Sequence, residues 1–362
     1  LPPATARSGY LTLRARAGVQ TPVYRDFQAL VELEAVAALL EDYNSTNNGK
    51  TIYPTIADPD TIELNRAQIA YTGFENTTIT LGRQRIMLNN QRFLGNVGFR
   101  QNEQTYDAAR IETSIGDVKL GYAYIEAVQR IFGNEAPSTG AFVGQYESDS
   151  HVANAELKTE RFGTFAAYAL LLDLDEAPVL STASYGLRWT SAFALGEDAK
   201  LTLAAEGAVQ SDYADNPRDI DLGYLTAQAD LKIGAVTAQL GAEQLGGDGT
   251  TGFSTPLATL FKFNGWADTF LTTPADGLTD LYGGLTLNLK EIWANAPLTV
   301  SLVYHDYQDD SGDLDYGSEV DFVITAKLDG NWSAEARIAS YDGGDDGFAG
   351  RDKVWFTFEY AL

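Results

Sequence analysis

Alternation with a period of two, interrupted by connections that are short and long in turn, is the feature of this sequence that most restricts its fold. Gly9 to Val19 sets the pattern. Leu11, Leu13, Ala15, Ala17 and Val19 fall on one face, and Thr12, Arg14 and Arg16 on the other. The short connection Gln20-Thr21-Pro22-Val23 returns the chain as Tyr24 to Ala37, with Phe27, Val31 and Leu33 opposed to Gln28, Glu32 and Glu34. A polar stretch, Glu41 to Asp60, precedes the next pair, Leu64 to Tyr71 and Thr77 to Met87, which meet across 72–76. A second excursion, Asn89 to Gln104, leads to Thr105 to Ile115. The same rhythm continues to Lys353–Leu362. Its longest irregular stretch is Leu245 to Thr279, and its last short turn, Asp329-Gly330-Asn331, is of the kind that joins antiparallel strands.

Counted this way, the chain holds about 17 strands, typically of the roughly 10 residues that a tilted membrane strand needs. No run approaches the ~18 apolar residues of a spanning helix. The longest, Phe165 to Leu172, stops at Asp173. The expected fold is all-β: one transmembrane antiparallel β-barrel over residues 1–362, in the bacterial outer membrane. In such barrels short turns face the periplasm and long loops face outward, and the strand number is even. The first connection is short, so both the first and the last strand run inward. That parity predicts one further strand upstream of Leu1, about 18 in all, or else a miscount and about 16.

Alternation alone fits a soluble sandwich as well. Two further features favour the barrel. Charged residues sit in mid-strand on the polar faces (Arg14, Glu32, Arg188, Glu206, Asp230, Glu335, Arg337), as a hydrated lumen permits. Tyrosines recur near strand ends (Tyr71, Tyr106, Tyr185, Tyr304, Tyr341), where an amphipathic ring suits the headgroup region. Mean hydropathy is only −0.18 despite 44% hydrophobic residues. A barrel accounts for this, because every second residue faces the lumen and can be polar. The net charge of −25 argues against a nucleic-acid surface. Cysteine is absent, which removes thiolate metal sites and nucleophiles.

Arginines mark the candidate site. Arg14 and Arg16 share a polar face, and Arg66 shares one with Gln68 in a nearby strand. Stacked guanidinium groups offer bidentate sites to carboxylates. The plainer alternative pairs each arginine with a lumen acid such as Glu32, Glu34 or Glu112. Arg83 and Arg85 are in phase with Ile79 and Leu81, so a regular strand turns them to lipid, where charge is costly at mid-depth. Either a β-bulge near Gly82 turns both inward, or they lie at the outer rim. Arg92 and Arg100 belong to the Asn89–Gln104 excursion, which is read as a constriction folded inward, with a solvated outer loop of equal weight. Arg110 completes the lumen set. Acidic loops, with Asp309, Asp313 and Asp315 in one of them, are weak candidates for Ca²⁺, and no other cofactor is expected. Catalysis finds little support: His151 and His305 are the only histidines, both read as interfacial, and neither lies beside a nucleophile elbow.

The segments LGRQRI (81–86), NNQRFLGNVGFRQNEQTYDA (89–108), GWADTFLTTPADGL (265–278) and DGFAGRDKVWF (346–356) resemble the alginate-export family of outer-membrane barrels. The resemblance implies a wide barrel for passive passage, with lumen arginines for carboxylated solutes. The expected function is therefore a porin-like channel for small anionic or carboxylated solutes, not an enzyme. An exporter of an acidic polysaccharide such as alginate and a structural or adhesive barrel with a closed lumen are the alternatives. The partners expected are outer-membrane lipid and lipopolysaccharide outside and small solutes within, with monomer and oligomer both open.

Overall fold

The computed structural model describes residues 6–293, 296–328, 330–346 and 348–362. Asp329, the first residue of the last short turn, and Gly347, inside the 346–356 segment, lie outside them. Among the described residues seventeen strands form one sheet, so the 16-strand alternative does not hold. They are β1 (Gly9–Gln20), β2 (Phe27–Asp42), β3 (Thr61–Phe74), β4 (Thr77–Gln84), β5 (Thr105–Ile115) and β6 (Val118–Gln129). Next come β7 (Gln145–Thr159), β8 (Gly163–Leu172), β9 (Thr182–Ala194), β10 (Ala199–Asp212), β11 (Asp221–Ile233) and β12 (Val236–Leu245). The last are β13 (Leu278–Trp293), β14 (Ala296–Gln308), β15 (Asp315–Lys327), β16 (Trp332–Gly343) and β17 (Arg351–Tyr360).

Every strand pairs antiparallel with its neighbours in sequence, from β1–β2 to β16–β17. The short turns therefore gather at one end of the sheet and the long loops at the other. Among the described residues no ladder joins β1 to β17; the ion-pair approach of Arg14 to Glu359 at 4.0 Å crosses that seam.

Faces follow from parity. Leu13, Leu240 and Phe356, 61%, 70% and 83% exposed, belong to the apolar side chains that clothe the outside, while charged and aromatic residues of the other phase point in. Two of the tyrosines read as interfacial belong to the inner phase. Tyr106 and Tyr341 are buried against the interior, whereas Tyr185 and Tyr304 face outward. Proximity to a strand end does not set a side chain's direction; the odd or even position does.

Of the two alternatives for Arg83 and Arg85, the bulge at Gly82 is absent. The ladders on both sides of β4 run unbroken through Gly82, despite its φ of +103°. The irregularity lies one strand earlier, where Glu32 pairs with Arg66 and Leu33 with Leu64. Asn65 is the extra residue there, and it turns inward to full burial.

The barrel has a packed core of its own. Two long loops, 85–104 and 246–277, fold into the interior and place Phe93, Leu94, Phe253, Leu257 and Phe270 against inner-wall residues such as Tyr106, Tyr168, Tyr224 and Tyr307. The loops are knitted to one another by backbone bonds, Gly95 N–H to Leu257 O at 2.8 Å and Thr259 N–H to Gln91 O at 3.0 Å. The Gln104 amide also donates to Leu257 O at 3.0 Å.

Candidate functional site: the barrel interior

Three polar clusters line the interior. The first spans β1 to β3 and the end of β4. Arg16 grips Glu34 through both Nε, at 2.6 Å, and Nη2, and Arg66 forms a fork on Glu32 at 2.9 and 2.6 Å. Arg85 reaches Glu103 at 2.5 Å and Glu32 at 3.6 Å. The bulged Asn65 donates to Glu32 and Glu103, both at 2.8 Å, and the Glu103 N–H donates to Glu34 at 2.9 Å. Three arginines thus meet three glutamates in one network. Burial pushes the Glu103 carboxyl up, but the bonds from Arg85 and Asn65 and the nearby arginine charges outweigh it and hold it below the usual carboxylate range.

The second cluster surrounds the seam. Arg14 donates to the Arg100 carbonyl at 3.2 Å, and among the described residues Glu359, at 4.0 Å, is the one acid within ion-pair distance of it. Arg100 pairs with Asp268 at 3.0 Å and approaches Asp58 at 3.8 Å. Lys353 also holds Asp268, at 2.8 Å. Burial pushes the Asp58 carboxyl up, with Arg100 acting against it. Aromatic rings complete the cluster. Phe99 stacks on Phe261, Trp355 meets both edge-on, and the Arg337 guanidinium lies 3.9 Å from the Trp266 ring centroid, a cation–π geometry.

The third cluster lies on β10 to β15 beneath the loops. Arg92, 2% exposed, reaches from loop 85–104 to Glu243 at 2.9 Å, Thr255 at 3.3 Å and Asn264 at 3.1 Å. Tyr224 O–H donates to the same glutamate at 2.7 Å. The Asn264 amide donates to Glu243 at 2.7 Å and Asp280 at 3.2 Å. Trp266 N–H donates to Asp321 at 3.0 Å and Ala267 N–H to Glu319 at 2.6 Å. His305 Nδ1 lies 2.9 Å from Asp280. On the adjoining wall Arg188 pairs with Glu206 at 2.6 Å.

The sequence candidates therefore separate. Arg16, Arg66 and Arg85 join Glu32 and Glu34 in one network; Arg14 and Arg100 stand at the seam; Arg92 is a buried clasp between loops. Arg110 pairs with Glu112 at 2.5 Å on a cavity of about 530 Å³ whose other lining includes Lys119, Asn154 and Glu156. Arg83 stays in the outward phase and forms a fork with Asp107, 2.8 Å on each arm, so it parts from Arg85 instead of turning inward with it. His305 is interior, contrary to its interfacial reading. His151 faces outward and contacts Tyr122 O–H at 2.8 Å. Asp309 and Asp315 are engaged in turns, accepting from Leu314 N–H at 2.9 Å and Gly317 N–H at 2.8 Å respectively. Among the described residues no group of three or more His, Asp or Glu side chains is arranged to hold a metal ion.

Glu243, Asp280, Glu319 and Asp321 were missed as site residues. Each is an ordinary lumen-phase acid on its own strand. The available signal was acids recurring on the polar faces of consecutive strands while the intervening long loop held the donor-rich stretch Asn264 to Asp268.

The arrangement, antiparallel strands with lipid-compatible outside faces, charged inner walls and inward loops, defines an outer-membrane β-barrel. Solved structures share it. OccAB2 of Acinetobacter baumannii aligns with a TM-score of 0.73 at 15% identity, over 96% of this chain and 91% of that one. The outer-membrane protein OpdK of Pseudomonas aeruginosa gives 0.72 at 13% identity, over 97% and 92%, and one OpdK structure contains vanillate. The outer-membrane protein OprD of the same organism gives 0.65 at 14%, over 97% and 92%. No protein-family model matches the chain, and no curated protein matches it. These findings correct the resemblance to the alginate-export family: the fold is shared with OccAB2, OpdK and OprD. Arginine-bearing strand ends and polar inward loops are what a charged barrel interior requires, so such phrases do not identify one family.

Proposed function

We propose that this chain is an outer-membrane channel for the passive diffusion of small anionic solutes, carboxylates in particular, and not an enzyme. The observation that carries the reading is the uneven neutralisation of the inner-wall arginines. Arg16, Arg66 and Arg85 are each matched by an acid, whereas Arg14, at the seam, has among the described residues one carboxylate within ion-pair distance, Glu359 at 4.0 Å. A guanidinium with donors to spare is a bidentate site for a passing carboxylate. Solute choice then follows from wall charge and from the width left by the two inward loops. The vanillate in the OpdK structure is a carboxylate of the class this site suits.

Conductance across a planar bilayer, with the reversal potential measured in a salt gradient, tests this. The expected result is an open, anion-preferring pore, with Arg14→Ala shifting the reversal potential toward cations. A pore unaffected by that substitution removes Arg14 from the path. One specific observation favours a second reading, a barrel with a closed lumen: the two loops pack an apolar core inside the wall. Absence of conductance in correctly folded protein supports that reading over the channel.

A further inference from the structure

The third cluster has an imbalance that the first lacks. Glu243, Asp280, Glu319 and Asp321 are 5%, 1%, 1% and 1% exposed. Among the described residues, Arg92 on Glu243 is the one arginine or lysine within ion-pair distance of any of them. Glu319 and Asp321 are two apart on β15 and therefore share its inner face. Each accepts one loop N–H, from the consecutive residues Ala267 and Trp266. Each also has a second oxygen, Oε2 of Glu319 and Oδ1 of Asp321, that is buried without a partner.

The groups packed around the pair do not neutralise it. On β14, His305 presents Nε2 to Asp321 at 3.9 Å but gives Nδ1 to Asp280 on β13, and the buried Tyr307 hydroxyl has no partner. On β16, Arg337 pairs with Glu335 at 3.0 Å. Lys353 on β17 and Arg100 of the other loop both hold Asp268. Two dry carboxylates on one face with no cation between them cannot both stay ionised; one proton shared between them relieves the repulsion. The seat is also tight. Gly265, at φ +81°, lies so close that a Cβ there would overlap the Tyr307 hydroxyl and the Glu319 carboxyl.

We propose that Glu319 and Asp321 share one proton, and that this proton seats the segment 263–268 against the wall and so sets the width of the passage. When the proton leaves, two adjacent charges repel, His305 is, among the described residues, the one basic group within ion-pair distance of them, and the seat loosens. The passage therefore widens on the alkaline side. The part that concerns width rests on the channel reading; the seating itself does not.

Amide hydrogen exchange over 263–268, corrected for the intrinsic dependence of exchange on pH, is read alongside single-channel conductance between about pH 6 and about pH 9. The expected result is a loss of protection and a rise in conductance toward the alkaline end in the natural protein. In Glu319→Gln, whose amide replaces the shared proton while its carbonyl still accepts from Ala267, both should stay level; Asp321→Asn is the second variant, used if the first does not fold. An alkaline response unchanged in a folded variant, or flat protection in the natural protein, overturns the proposal. Protection that changes as expected in a protein that never conducts upholds the seat and overturns the channel.

Discussion

The two walls of this barrel handle charge in opposite ways. On the wall of β1 to β3 and just past the end of β4, Arg16, Arg66 and Arg85 face Glu32, Glu34 and the loop residue Glu103 in a balanced network; the arginine side chains are 25%, 20% and 27% exposed, while Glu34 and Glu103 are buried. On β12 to β15, four acids are sealed beneath a loop and meet one arginine. A half-hydrated ion pair costs little to form and little to lose, whereas a sealed charge requires a specific partner. The arginines of the balanced wall thus each keep a matched acid, with their guanidinium groups partly reached by water. The sealed wall fastens loop 246–277 to the inside of the barrel.

The largest effect expected from this contrast is at Arg92. Arg92→Ala leaves Glu243 buried without its cation and breaks the bonds to Thr255 and Asn264. The expected cost is about 3–5 kcal/mol, as for other broken buried pairs. Thermal unfolding in detergent should show it, together with raised conductance as the loops part. If Arg92→Ala behaves like a surface substitution, the sealed wall is not sealed. Next comes Gly265→Ala. It puts a methyl group into the Tyr307 hydroxyl and the Glu319 carboxyl on a left-handed backbone, with an overpacking cost of about 1–3 kcal/mol. Exchange protection at 263–268 should fall while the pairing of Gly95 with Leu257 persists.

The balanced wall predicts a pH effect of definite sign. The Glu103 carboxyl is held below its ordinary value in the folded protein. Its stabilising contribution is therefore complete above the unfolded value, about 4.3 for a free glutamate, and is lost as pH falls through the lower folded value. Protection of residues 96–104 should stay level down to about pH 5 and fall below it. Glu103→Gln should be less protected at neutral pH and lack the acid step. An acid step of the same size in that variant would assign it to other carboxylates.

Much of this was legible in the chain. Period-two patterning located all seventeen strands, because lipid outside and water inside impose opposite polarity on alternate residues. Thr105–Ile115 was delimited to the residue. What the chain did not disclose was which distant acids meet. Glu243 and Asp280 are cross-strand partners on β12 and β13, and Glu319 lies opposite His305 of β14, all under a loop whose path is set by tertiary packing. Parity also misled where local irregularity intervened: the bulge sits at Asn65, where Glu63 and Arg66 are still polar and leave no mark in the alternation. At Gly82 a visible conflict of phase was settled by leaving Arg83 outward.

Arg83 supplies the smallest and most discriminating prediction. Its fork on Asp107 lies on the outer face near the long-loop end of β4, and Gln129 extends it by donating to the same carboxylate at 3.0 Å. Arg83 and Asp107 are about a quarter exposed, so the pair is worth at most about 1 kcal/mol, and an unpaired charge near the interface costs about as little. Arg83→Ala should therefore leave thermal stability almost unchanged. It should also leave the reversal potential unchanged, because its charge lies on the lipid side of the wall, while Arg85→Ala, two residues on, should move both. A selectivity shift in Arg83→Ala as large as that in Arg85→Ala would put both arginines on the inner face and restore the bulge at Gly82 that the ladders of β4 exclude.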